Sequence, residues 1–141
     1  MLYYGGTANS KLFQNVREKA SLAYTASSSY VKAKNNIFIK CGIEIPNYEK
    51  AVKIIKEQLE DIKNGKFENS DIDDAKRTLI STIKTITEEQ DTEIAYYFGQ
   101  EISNVKYTLD EYENQINMVS KEQIQDLARK VKINTIYFLR D

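Results

Sequence analysis

The sequence has no histidine and no tryptophan, and only one cysteine, one proline and five glycines in 141 residues. Without histidine, no Ser-His-Asp or Cys-His arrangement can form. A transition-metal site would have to be built from carboxylates and one thiol, a poor donor set for zinc. Cys41 stands alone, so an internal disulfide is excluded and a cytoplasmic setting is expected. No apolar run approaches the roughly 20 residues of a membrane span. Met1 to Gly6 lacks the basic region and long apolar stretch of a secretory signal. An excess of either charge is also missing. Lys and Arg total 20, Asp and Glu total 21, and the two signs are interspersed. Nothing builds the basic face that a nucleic-acid partner requires.

What remains is ordinary for a folded chain, at 41% hydrophobic and 29% charged residues. The length fits a single domain over residues 1–141 with one core. Ser10 is placed to cap a helix, on which Leu12, Phe13, Val16 and Ala20 share a face. Leu22 to Val31 reads as a strand, and Lys34-Asn35-Asn36 as a turn. Ile37 to Ile45 alternates cleanly: Ile37, Ile39, Cys41, Ile43 and Ile45 point one way, and Phe38, Lys40, Gly42 and Glu44 the other. The two strands most simply form an antiparallel hairpin.

Pro46-Asn47 closes the second strand, with Asn47 a capping residue for a helix striped by Ala51, Ile55, Leu59 and Ile62. Asn64-Gly65 stops that helix, and Phe67 is expected to fill the core below the next loop. Ser70 with Asp73 has the spacing of a helix start, and Ile72, Ala75, Leu79, Ile83 and Ile86 follow as a stripe. Thr87 to Asp91 marks a break before a helix carrying Ile94, Tyr97, Phe98 and Ile102. Thr108 with Glu111, and Ser120 with Gln123, each have capping-box spacing. The second of these precedes core candidates Ile124, Leu127, Ala128 and Val131. Thr135 to Leu139 reads as a final strand. The order is α+β, a largely antiparallel sheet covered on one face by helices.

Arg17 and Tyr24 are the candidate site. Seven positions separate them across a helix-to-strand turn, so both side chains can converge on one spot. A guanidinium and a phenol are good donors to a carbonyl oxygen or a developing oxyanion. The plainer reading is a surface arginine paired with Glu18 or Glu44, and a tyrosine packed at the sheet edge. Gly5-Gly6 lacks the lysine and hydroxyl of a phosphate loop. Lys11, Arg17 and Lys19 read as a solvated face. Asp71, Asp73 and Asp74 lack the glycine and terminal glutamate of a calcium loop and suit a helix N-terminus better.

Gly5-Gly6, Ser10, Leu12-Phe13, Arg17-Glu18-Lys19 and Leu22-Ala23-Tyr24 together form a long, spaced segment. It resembles the C-terminal half-domain of the pitrilysin/insulinase zinc peptidases, which include mitochondrial processing peptidase. The resemblance is close at the start of the chain and looser beyond it. It implies an enzyme built from α+β halves around a closed chamber, with zinc held by an inverted H-x-x-E-H motif in another half. It also implies that Arg17 orients a carbonyl of a peptide substrate and that Tyr24 donates to the tetrahedral oxyanion. This chain lacks the zinc motif and enters at the glycine pair, where family members already have a strand and a helix. A fragment is therefore expected, inactive alone, whose partners are a peptide, a zinc-bearing half or partner subunit, and a second copy pairing at an open sheet edge. The competing expectation is an inactive structural or interaction module.

Overall fold

The computed structural model describes residue 10 and residues 15–17, 20–31 and 34–140. Gly5-Gly6, Lys11, Leu12, Phe13, Glu18 and Lys19 lie outside the described residues. Two compact units are present, the first comprising residues 1–68 and 121–141, the second residues 69–120.

The first unit contains the hairpin. Strand β1 (Ala23–Val31) pairs antiparallel with β2 (Asn36–Ile43). Asn35 turns the chain at φ 48°, a left-handed conformation that asparagine tolerates. Alternation in β2 survives in space: Ile37, Ile39, Cys41 and Ile43 are half-buried, while Phe38, Lys40 and Gly42 are exposed. Across the ladder Ala26 faces Cys41 and Ser28 faces Ile39, and both β1 residues are buried. Burial pushes the pKa of the half-buried Cys41 thiol up. The strand ends two residues earlier than the alternation suggests. Ile45, expected on the apolar face, is exposed and opens a 3-10 turn over Ile45–Asn47.

Helix α1 (Tyr48–Lys63) grows directly out of that turn. Asn47 sits at its N-cap but makes no side-chain cap. Its backbone is already right-handed helical, so the preceding turn does the work expected of the side chain. Ala51, Leu59 and Ile62 are buried and Ile55 half-buried, as the stripe requires. Full burial of a leucine or isoleucine stabilises by about 1.5–3 kcal/mol, so these few side chains dominate the helix's attachment. The helix stops at Gly65, with φ +70°. Gly65 N–H donates to Ile62 O at 3.0 Å and Lys66 N–H to Asp61 O at 2.8 Å, the paired bonds of a Schellman stop. Phe67 follows, 97% buried, with the Lys121 ammonium 4.9 Å from its ring.

Helix α5 (Lys121–Lys130) packs on α1 and begins immediately after Ser120. Ala128 is buried, and Ile124 and Val131 half-buried, but Leu127 is largely exposed. Gln125 Nε2 donates to Lys63 O at 3.0 Å, satisfying a carbonyl at the end of α1. Thr135 to Leu139 is not a strand. No described strand lies beside it to complete a ladder. Phe138 instead stacks on Tyr48 with ring centroids 4.2 Å apart, and Tyr137 and Leu139 stand exposed. The sheet among the described residues is thus two-stranded.

In the second unit, α2 (Asn69–Lys84) starts one residue before Ser70, which lies in its first turn rather than capping it. Ile72 and Ile83 are buried, and Ala75, Leu79 and Ile86 half-buried. A 3-10 turn over Thr85–Glu88 and an extended Glu89 (φ −127°, ψ 123°) form the expected break. Helix α3 (Gln90–Ile102) exposes Ile94, Tyr97, Phe98 and Ile102. Its buried residue is Gln100, which trades bonds with the backbone of one residue: Nε2 donates to Tyr107 O at 2.6 Å, and Tyr107 N–H donates to Oε1 at 2.7 Å. Helix α4 (Leu109–Asn117) has the complete reciprocal box between Thr108 and Glu111 and packs on α2.

Candidate functional site

Residues 15–17 form a wide, π-type turn that ends the segment carrying Arg17. Ser21 N–H donates to Arg17 O at 3.0 Å and Leu22 N–H to Val16 O at 3.1 Å. This is the bond pattern of the α1 stop with each span one residue longer. Ser21 takes the left-handed conformation there, at φ 50°. Val16 is fully buried and Leu22 93% buried. One residue earlier, Asn15 Nδ2 donates to Gln58 Oε1 at 2.7 Å, tying the turn to α1. Neither Asn15 nor Gln58 stands out in the sequence, since a single amide pair has no periodic signal.

Arg17 is exposed beside buried Val16. Tyr24 is 68% exposed two residues beyond buried Leu22. The turn therefore anchors its apolar residues and leaves both candidate side chains in solvent, on either side of one backbone closure. Tyr24 also occupies a break in the ladder. Ala23 pairs with Ile43 and Thr25 with Gly42, so Tyr24 is the extra residue of a β-bulge. Gly42 N–H donates to Thr25 Oγ1 at 3.3 Å alongside it. A bulge re-aims the side chain that it leaves out of register, and two successive residues, Tyr24 and Thr25, are exposed here.

Glu44 completes the geometry. The Tyr24 hydroxyl donates to Glu44 Oε1 at 3.0 Å. That bond, and then the adjacent negative charge, raise the Tyr24 pKa above its ordinary value. Glu44 thus partners the tyrosine. The hairpin register carries the signal, because Glu44 directly follows Ile43, the partner of Ala23.

Histidine is absent from the sequence, and no group of three or more Cys, Asp or Glu among the described residues is placed to hold a metal. Asp74 of the acidic run is instead paired with Arg77. No described helix is long and apolar enough to cross a membrane.

A family model described as the peptidase M16 inactive domain matches residues 3–79, which include Arg17, Tyr24 and Glu44. The chain is 36% identical over 137 residues to the "Probable inactive metalloprotease YmfF" of Bacillus subtilis (strain 168), covering 97% of this chain and 32% of that protein. It is 26% identical over 130 residues to the "Uncharacterized zinc protease YmxG" of the same organism, covering 90% and 32%. The chain thus spans about a third of the length of these curated relatives. Among solved structures, a conserved protein from Enterococcus faecalis V583 superposes with TM-score 0.84 at 30% identity, over 90% of this chain and 30% of that one. A peptidase M16 inactive domain from Pseudomonas fluorescens shares the fold, with TM-score 0.76 at 23% identity over 92% and 32%. A match across more than half of the chain, on an α+β frame common to these structures, shows that the chain belongs to the peptidase M16 inactive-domain family.

Proposed function

We propose that this chain is the non-catalytic, substrate-binding C-terminal region of a zinc-dependent metalloendopeptidase that cleaves peptides in a closed chamber. The observation that carries the reading is the anchored turn, matched by the family model, that holds Arg17 and Tyr24 in solvent around buried Val16 and Leu22. Arg17 offers guanidinium donors to a peptide carbonyl. Tyr24 donates to the same carbonyl as it becomes the tetrahedral oxyanion. The zinc, with the water activation it supplies when bound, belongs to an N-terminal half or a partner subunit. The reading places the assembly in the cytoplasm. A second copy, pairing at an edge of the sheet formed by the described strands, is a further candidate partner.

The test is peptide hydrolysis by this chain assembled with its zinc-bearing half. Arg17→Ala should lower turnover by about 10²-fold, the usual loss when one donor is taken from a transition state. Tyr24→Phe should lower it as well. Full turnover in both variants would remove the assignment.

A second reading, an inactive scaffold module, is favoured by the similarity to a relative named as inactive and by the unburied apolar face of α3. Co-purification separates the two: a partner carrying H-x-x-E-H supports the peptidase, and a stable assembly without that motif supports the scaffold.

A further inference from the structure

We propose that the acidic, apolar face of α3 and α4 binds a second copy of this chain through that copy's basic segment, residues 127–140. The contact uses neither the sheet edge nor Arg17 and Tyr24, and it is independent of the peptide reading.

The balanced charge of the whole chain hides a separation. Residues 69–120 hold eleven acidic and four basic side chains, a net of −7, and the rest of the chain holds ten acidic and sixteen basic, a net of +6. The acidic excess gathers on α3 and α4. Asp91, Glu93 and Glu101 on α3, and Asp110, Glu111 and Glu113 on α4, share their helices with no lysine or arginine. Two bases from outside compensate weakly: Lys106 lies 4.0 Å from Glu101 and Lys84 3.9 Å from Glu113, with both lysines largely exposed.

The same surface is apolar. Ile94, Tyr97, Phe98 and Ile102 share one face of α3 and are 45–71% exposed. Glu101 lies one turn from Tyr97 and Phe98, and Asp91 one turn from Ile94, so carboxylates rim the stripe. Tyr96 carries the aromatic surface across to α4, its ring centroid 5.2 Å from Tyr97 and 6.5 Å from Tyr112. A contiguous apolar face rimmed by one sign of charge selects a partner with apolar side chains and the opposite sign.

Residues 127–140 have that chemistry. They carry Arg129, Lys130, Lys132 and Arg140 and no acidic residue. Leu127, Ile133, Ile136, Tyr137 and Leu139 among them are exposed. Arg129 is paired with Asp126, while Lys130, Lys132 and Arg140 make no ion pair among the described residues. Extended, Ile133 to Leu139 reaches about 20 Å, against a rise of about 12 Å from Ile94 to Ile102, so the segment can span the stripe. Each copy carries both halves of the contact, so a second copy is the partner of this chemistry that the chain itself supplies. The two surfaces differ, which makes the contact heterologous.

The experiment is sedimentation velocity of the full chain, up to about 0.5 mM, at about 50 mM and about 500 mM salt. Self-association is expected at the lower salt and should weaken about tenfold or more at the higher. Asp91→Lys with Glu101→Lys should abolish it, and so, separately, should Lys132→Glu with Arg140→Glu. All four side chains are exposed, and circular dichroism checks that the helices persist. Mixed in equal amounts, the two variants should associate again, because the reversed face meets the reversed segment. Phe98→Ser should weaken association about tenfold at both salts. A chain that stays monomeric at the lower salt would overturn the proposal. Association unmoved by both charge reversals would overturn it in favour of pairing at a sheet edge. A mixture that fails to associate would overturn the pairing of these two surfaces.

Discussion

Gly65→Ala should destabilise the chain by about 1–2.5 kcal/mol, and the structure divides that cost into two measurable parts. The first is conformational. Gly65 sits at φ +70°, and an L-residue held in the left-handed region costs roughly 1–2 kcal/mol. Reduced freedom of the unfolded chain returns about 0.4–1 kcal/mol of this. The second part is a contact. A Cβ at Gly65 would meet Gln125 Nε2 at 3.1 Å and its Cδ at 3.3 Å. Gln125 must give way, and the same Nε2 donates to Lys63 O. Losing that bond costs about 1 kcal/mol.

The assay is urea unfolding of the full chain, followed by circular dichroism and by Phe67-region amide exchange. The second probe matters because the chain divides into two compact units and Gly65 belongs to the first. In a Gln125→Ala background the contact disappears, so the penalty should fall by about 1 kcal/mol and leave the conformational part. Gly99→Ala is the control. It lies inside α3 with nothing within 4 Å of a new Cβ, and should stabilise by roughly 0.5–1 kcal/mol. If Gly65→Ala stabilised as Gly99→Ala does, the Schellman account of the α1 stop would be wrong.

Two other substitutions test polar bookkeeping. Ser28 Oγ is a buried hydroxyl without a hydrogen-bond partner among the described residues, so Ser28→Ala should leave stability unchanged or raise it by up to about 1 kcal/mol; thermal unfolding showing a loss above that would reveal a hidden partner. Thr108→Ala deletes one half of the α4 capping box and should cost about 1 kcal/mol in urea unfolding, with faster amide exchange at Glu111, whose N–H loses its 3.2 Å acceptor; equal exchange would mean the box contributes nothing.

The features legible in the sequence are those set within a few residues. Asn64-Gly65 stops α1 because a left-handed position needs glycine whatever lies elsewhere. Thr108 and Glu111 satisfy each other three residues apart. The β2 alternation reports one buried face. Features set by neighbours distant in sequence were not legible. Leu127 and the α3 stripe have core spacing, yet spacing says only that side chains share a face, not that anything covers it. Thr135 to Leu139 has strand composition but no partner strand among the described residues, because a ladder is a property of two segments. At the site, Arg17 and Tyr24 could be singled out by type and spacing. The bulge under Tyr24 depends on pairing register, as does its bond to Glu44.

That register dependence has a chemical consequence. Had β1 continued without a bulge, strict alternation would place Tyr24 on the face of Ala26 and Ser28, which is buried. The extra residue at Tyr24 lets Ala26 and Ser28 stay inside while Tyr24 turns outward. The same extra residue puts Tyr24 at the hairpin end where Glu44 leaves β2. Exposure of the phenol thus follows from the one extra residue. Deleting Thr25 would close the bulge and set Tyr24 directly before Ala26 and opposite Gly42, where alternation keeps it on the exposed face. Tyr24 should therefore stay solvent-accessible in the deletion variant, and its burial there, read by solvent-accessibility labelling, would show that alternation does not govern the site.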